Sequence, residues 1–290
     1  MTLTRRQPGA VQKASFTDIY NNQDPRAYLT TLAPLEYTIP QQLQPLFQRL
    51  HQLASQGTAN SAILDVCCSY GINGGLLRHN VDMDAWTAHY AGSELSAEQQ
   101  ISTDKEFFAS RVRSDMPVLF GLDKAENAIK YALDTGLIDN GWAEDLEAHD
   151  PSPSLLEALK DVTLIICTGG ASYVGSRTFG RIMSAIPRST NIWMASTVIR
   201  TVSYEEVAMT LKAHGLETMK LPGVLRQRRF TSDKEKRDAI AQLKARGLDP
   251  AGFEDEGYLC AEVYISRPMG ELSRMPIEEL ADTMKGFVIA

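Results

Sequence analysis

The chain has 290 residues, 43% apolar and 22% charged, as expected for a globular protein with one α/β domain and some additions. Acidic residues outnumber basic ones, 36 to 29, giving a formal charge of −7 and a pI near 5.3, which argues against non-specific binding to nucleic acid or anionic membranes. No stretch of about 18 apolar residues marks a membrane-spanning helix, and the four cysteines show neither CxxC nor Cys/His spacing, so they read as buried reduced thiols with no metal site.

The first 20 residues begin polar, and MTLTRRQPGAVQK has two arginines but no apolar segment behind them. That is not a secretory pattern, and a cytoplasmic location is the expectation. Asp24 to Leu53 reads as helical, with Pro25 near the start of one helix and Pro40 or Pro45 opening a second through Leu46, Phe47, Leu50 and Leu53. SQGTANS breaks the pattern.

Six apolar strand candidates follow: Ala62–Val66, Pro117–Leu122, Val162–Cys167, Ile192–Val198, Leu216–Leu221 and Leu259–Ile265. Helical patterns at Gly71–Arg78, Ala125–Thr135, Arg177–Ala185 and Tyr204–His214 separate most of them. This alternation predicts a mostly parallel sheet covered on both faces. Residues 79–116 and 226–257 exceed what such a sheet needs. Each holds a helical piece, the second near Asp233–Arg246, and insertions at these positions form lids, substrate walls or oligomer contacts, a homodimer included.

The first strand runs into a tight turn and opens a helix: ILDVCCSYGINGGLLR, Ile63 to Arg78. Ligands of open parallel sheets bind outside the carboxyl ends of their strands, where this turn lies. The segment resembles motif I of class I S-adenosylmethionine-dependent methyltransferases. Asp65 matches the family's acidic residue and Gly71 its last glycine, while Cys67 and Ser69 occupy the two other glycine positions. The resemblance implies a Rossmann-like, seven-stranded, mostly parallel sheet with helices on both faces. It implies residues 1–60 as a helical lid and 61–290 as the S-adenosylmethionine-binding domain.

Three further segments carry the resemblance. LFGLDKAEN places Asp123 at the end of the second strand, where the family's acid accepts hydrogen bonds from both ribose hydroxyls. A helix N-cap is the alternative for Asp123, and one carboxylate can serve both roles. NGWAEDLE, Asn140 to Glu147, is similar to the adenine-holding segment after the third strand. Ala143 aligns there, Trp142 stands where an acid often sits, and Glu144 or Asp145 is a substitute. DVTLIICTGGASYVG, Asp161 to Gly175, resembles the fourth strand and the loop after it, where sulfonium and acceptor meet. It places Thr168, Gly169, Gly170, Ser172 and Tyr173 at the reacting centre. Tyr173 offers a ring face to the sulfonium or a hydroxyl to a substrate, or packs in the core.

Tyr20, Tyr28 and Tyr37 are lid candidates, or tyrosines packed on a helix face. QRRF, Gln227 to Phe230, falls in the loop after the fifth strand, where its arginines clamp a carboxylate or make surface salt bridges. Arg200 is a second anion candidate. The resemblance implies S-adenosylmethionine as cofactor and methyl transfer to a small molecule as the leading activity. A cyclase or lyase of azetidine-2-carboxylate synthase type is the alternative: there the cofactor's own amine attacks and methylthioadenosine leaves. A non-catalytic S-adenosylmethionine binder is the third reading.

Overall fold

A computed structural model of the chain describes residues 17–58 and 60–289. Its strands are β1 (Ala62–Val66), β2 (Val118–Asp123), β3 (Asn140–Ala143), β4 (Val162–Cys167), β5 (Trp193–Ile199), β6 (Leu216–Lys220), β7 (Val224–Arg229), β8 (Tyr258–Pro268) and β9 (Val288–Ile289). The helices are α1 (Arg26–Leu32), α2 (Ile39–Ala54), α3 (Ile72–Arg78), α4 (Met83–His89), α5 (Ala97–Ala109), α6 (Glu126–Asp134), α7 (Pro153–Ala158), α8 (Ser176–Ala185), α9 (Glu205–Ala213), α10 (Asp233–Ala245) and α11 (Ile277–Asp282).

The strands form one sheet in the order β3-β2-β1-β4-β5-β8-β7-β9, with β6 also pairing with β8. β1 to β5 are mutually parallel, and β8 returns antiparallel to β5. This is the Rossmann-like α/β sheet with the reversed late strand. Among the described residues it has nine strands rather than seven. The extra strands arise because β6 and β7 lie end to end along the eleven-residue β8, parted at Pro222 and Gly223. Proline has no N–H for the ladder, and Gly223 takes φ +84°. The two-residue β9 adds an edge on β7.

Strand alternation splits the core into two layers. Ala62, Leu64 and Val66 face α7, α8 and α9. Ile63 and, from neighbouring strands, Leu164, Ile166 and Ala195 face α2, α3 and α6. α2 buries Ile39, Leu43, Leu46, Phe47, Leu50 and Ala54, spaced three and four apart, and so forms part of this second layer. The segment before it, 17–38, runs over the carboxyl ends of the strands.

Two expectations about segment position are corrected. Asn140–Ala143 is the third strand itself, paired with β2 from Phe120↔Asn140 to Asp123↔Ala143, rather than the segment after it. Gln227, Arg228 and Arg229 lie within β7 and not in a loop. Four residues are too few to show a strand's period, and QRR looks like loop composition until β8 supplies the partner.

The insertion at 79–116 holds α4 and α5. Gly75 lets the Trp86 ring onto α3, since a Cβ there would lie 2.4 Å from ring carbon Cζ3. Ser96 and Gln99 cap α5 reciprocally. Buried Asp104 accepts from Tyr90, Tyr131, His89 Nε2 and Gln100 Nε2 at 2.6–2.9 Å, tying both helices to α6.

Candidate active site at the strand ends

The turn after β1 alternates in hand. Cys67, Ser69 and Gly71 sit at φ +61°, +51° and +74°, the left-handed region. Only Gly71 reaches it without a Cβ penalty, and a Cβ there would also press on Ala132 at 3.0 Å. The turn is held by donation from Cys67 N to the Leu122 carbonyl (2.7 Å), from Ser69 N to Asp123 Oδ2 (2.9 Å) and from Gly71 N to the Cys68 carbonyl (3.0 Å). The second Asp123 oxygen accepts from Ala125 N at the start of α6 (3.0 Å). Asp123 therefore serves as a helix-start acceptor while its half-buried carboxylate still edges the cleft. Burial raises its pKa, and the Ala125 and Ser69 N–H groups oppose the rise.

Asp65 is fully buried one face over. Desolvation pushes its carboxyl up to about 8, Asn73 opposes the shift, and the Asp123 charge adds to it. Asn73 Nδ2 lies 3.1 Å from each Asp65 oxygen and 3.2 Å from Thr168 Oγ1, so one amide joins the end of β1 to the loop after β4. In that loop Gly169 takes φ +68° and donates its N–H to Thr197 Oγ1 at 2.8 Å. Gly170 approaches the β1 turn so closely that a Cβ would lie 2.7 Å from the Cys67 Cβ.

Tyrosines cover this spot. Tyr28 meets Tyr20, Tyr37 and Tyr70 edge-on, with ring centroids 5.4, 6.4 and 5.9 Å apart. Its hydroxyl donates to Tyr37, whose own pKa burial raises to about 12. Tyr37 Oη comes within 3.7 Å of where a Gly169 Cβ would sit. Tyr173, on the loop after β4 and 56% exposed, lies within electrostatic reach of Tyr20 and Tyr37. Segment 17–38 is fastened at both sides of the cleft. Asn21 pairs twice with Asn127 of α6, Asn22 N donates to Tyr70 Oη, and Glu36 accepts from Arg229 Nε and Tyr258 Oη.

The structure thus brings together Asp65, Cys67, Ser69, Gly71, Asp123, Thr168, Gly169 and Tyr173. Ala143 stands at the end of β3 opposite Asp123, and Ser172 is exposed on the loop after β4. Trp142 points to the other sheet face. Its ring packs edge-on against Phe120 (5.7 Å), and its indole N–H donates to Ser154 Oγ (3.0 Å). Glu144 accepts from Ser152 N at 3.0 Å.

Two candidate anion residues are engaged within the fold. Arg228 forks onto Glu235 at 2.6 and 3.0 Å, and Arg200 reaches Glu254 at 2.6 Å and the Asp249 carbonyl. Asn73 and Gln227 are site residues that sequence reasoning passed over.

An open groove of about 620 Å³ between α7 and α8, lined by Asp150, Arg177, Arg181 and His214 among others, includes none of these strand-end residues. Among the described residues there is no cluster of three metal-ligating side chains and no helix long and apolar enough to cross a membrane.

No protein-family model and no curated protein matches the chain. Solved structures resemble it in fold. The N-methyltransferase NodS from Bradyrhizobium japonicum WM9 in complex with S-adenosyl-L-homocysteine shares 12% identity over 87% of this chain and 96% of that one, with a TM-score of 0.43. The plantazolicin methyltransferase BpumL, with a desmethyl substrate analogue and SAH, shares 11% over 87% and 90% at a TM-score of 0.41. Magnesium protoporphyrin IX methyltransferase ChlM from Synechocystis PCC 6803, with bound SAM, shares 9% over 79% and 80% at 0.38.

Proposed function

We propose that the chain is an S-adenosylmethionine-dependent enzyme whose activity is methyl transfer to a small molecule. The observation that carries this reading is the tie between Asp123, at the end of β2, and the left-handed turn Cys67–Gly71 after β1. The residues present suit the cofactor. Asp123 offers two oxygens to a vicinal diol, and Ala143 and Glu144 stand where adenine would be held. Asp65, Asn73 and Thr168 line the place for the amino-acid end. The cofactor, when bound, supplies an activated carbon on a sulfonium. The chain's own task is to align the partners, exclude water and face the cation with aromatic rings, and no nucleophilic side chain is needed. Segment 17–38, with Tyr20, Tyr28 and Tyr37, acts as the lid.

A second reading is a cyclase or lyase of azetidine-2-carboxylate synthase type. The observation favouring it is that Tyr37 and the Gln227 carboxamide both crowd Gly169, which narrows the room for a separate acceptor there. A nucleophile already within the cofactor needs no such room. A cytoplasmic location and a homodimer remain part of the proposal without bearing on the site.

Incubating the purified protein with S-adenosylmethionine alone, followed by mass spectrometry, separates the readings. Bound but unconsumed cofactor supports methyl transfer. Methylthioadenosine with a four-carbon amino-acid product above the spontaneous rate supports the second reading. Neither binding nor turnover rejects both.

A further inference from the structure

Gln227 lies on β7, outside every segment that carries the family resemblance. It is the extra residue of a β-bulge: Arg226 pairs with Cys260 and Arg228 with Leu259, consecutive residues of β8, which leaves Gln227 without a ladder partner. A bulge of this kind re-aims a side chain, and here the carboxamide ends up only 1% exposed. Its amide stands over the loop after β4, where a Cβ at Gly169 would lie 3.3 Å from Nε2. The next residue along the strand fixes its placement, since Arg228 is forked onto Glu235.

Gln227 Oε1 is buried and has no hydrogen-bond partner. Asn73, on α3 and bonded to Thr168 one residue before Gly169, shows the same condition. Its Nδ2 is committed to Asp65 and Thr168, while its Oδ1 is buried and without a partner. Carboxamide oxygens only accept hydrogen bonds, and a buried acceptor with no donor is rare in a native protein unless a ligand completes it. A carboxylate or phosphate has no N–H to offer such oxygens. An amine or ammonium would supply the missing N–H donors.

We propose that Gln227 and Asn73 form a subsite for the primary amine at the amino-acid end of the ligand, seated at Thr168–Gly169. This rests on the S-adenosylmethionine reading and adds to it a residue from the opposite side of the sheet. Under the second reading it makes Gln227 the residue that positions the nucleophile.

The test is calorimetric titration of S-adenosylhomocysteine and of its desamino analogue, which keeps the carboxylate and lacks only the amine. Wild-type protein should prefer the amine-bearing ligand by about tenfold or more. Gln227→Leu should cut that preference by about tenfold and leave the analogue's affinity unchanged, whereas Gln227→Glu, which keeps an acceptor, should retain it. A preference untouched by Gln227→Leu, an equal loss for both ligands, or a fall in Gln227→Glu to the Leu level overturns the subsite. Wild-type protein that binds both ligands equally also overturns the subsite alone. Wild-type protein that binds neither rejects the cofactor reading and the subsite with it.

Discussion

Asp123 Oδ2 accepts the backbone N–H of Ser69 at 2.9 Å, so the acid closing β2 also shapes the turn that follows β1. The two strand–turn–helix units are 54 residues apart in sequence yet meet through one hydrogen bond. A group at this junction is coupled to turn strain, to the first helices and to whatever ligand lies above both strands.

The strain at Ser69 can be measured directly. A non-glycine residue at φ +51° costs roughly 1–2 kcal/mol, and the buried Ser69 Oγ has no partner to offset it. Glycine relieves both and returns part of the gain through a freer unfolded chain. Ser69→Gly should therefore stabilise the ligand-free protein by about 1 kcal/mol in urea unfolding. A destabilised variant would show that the hydroxyl has a partner in solution.

Asp65 predicts a pH dependence of stability. Its folded pKa, about 8 because of burial, lies above that of an unfolded carboxyl, so the folded state binds the proton more tightly. Its contribution is fully present below the unfolded value and is lost as pH rises towards about 8. Glu254, raised to about 7 by burial, adds a slope of the same sign that a variant at position 65 keeps. Asp65→Asn should lose less stability than wild type between pH 5 and 8 by denaturant titration. Parallel profiles would contradict this.

Segment 17–38, the proposed lid, is fastened where Glu36, itself at φ +54°, meets Arg229 and Tyr258. Both ion-pair partners are about half exposed, so the contact is screened by salt and worth little alone. Glu36→Gln should raise hydrogen exchange in residues 17–38 and speed ligand release by up to about fivefold at low ionic strength, with a smaller effect at high salt. Exchange and release unchanged at either ionic strength would remove Glu36 from the latch.

Much of the sheet was legible because its signals are local. β1, β4 and β5 are fully buried, largely apolar runs. Asp65, Gly71 and Asp123 could be found because a turn between strand and helix constrains both spacing and residue type. What was hidden depends on a distant partner. The break between β6 and β7 exists only because one long β8 pairs with both, and the bulge at Gln227 arises from the register of that pairing. The contacts of Trp142 with Phe120 and Ser154 follow from the pairing of β3 with β2, which four residues of sequence do not reveal. For the arginines of QRRF an anion clamp and salt bridges both stayed open, because Glu235, seven residues from Arg228, and Glu36, at the other end of the chain, could not be recognised as their partners.

In the proposed function the ends of β1 and β2 hold S-adenosylmethionine, with Asp123 on its ribose. Calorimetric titration of S-adenosylmethionine into wild-type protein and Asp123→Ala tests it, with thermal unfolding of both to account for the loosened turn. One-to-one binding by wild type is expected, weakened in the variant by about 1–3 kcal/mol or more. Equal affinities, or a wild-type protein that does not bind the cofactor, would contradict it.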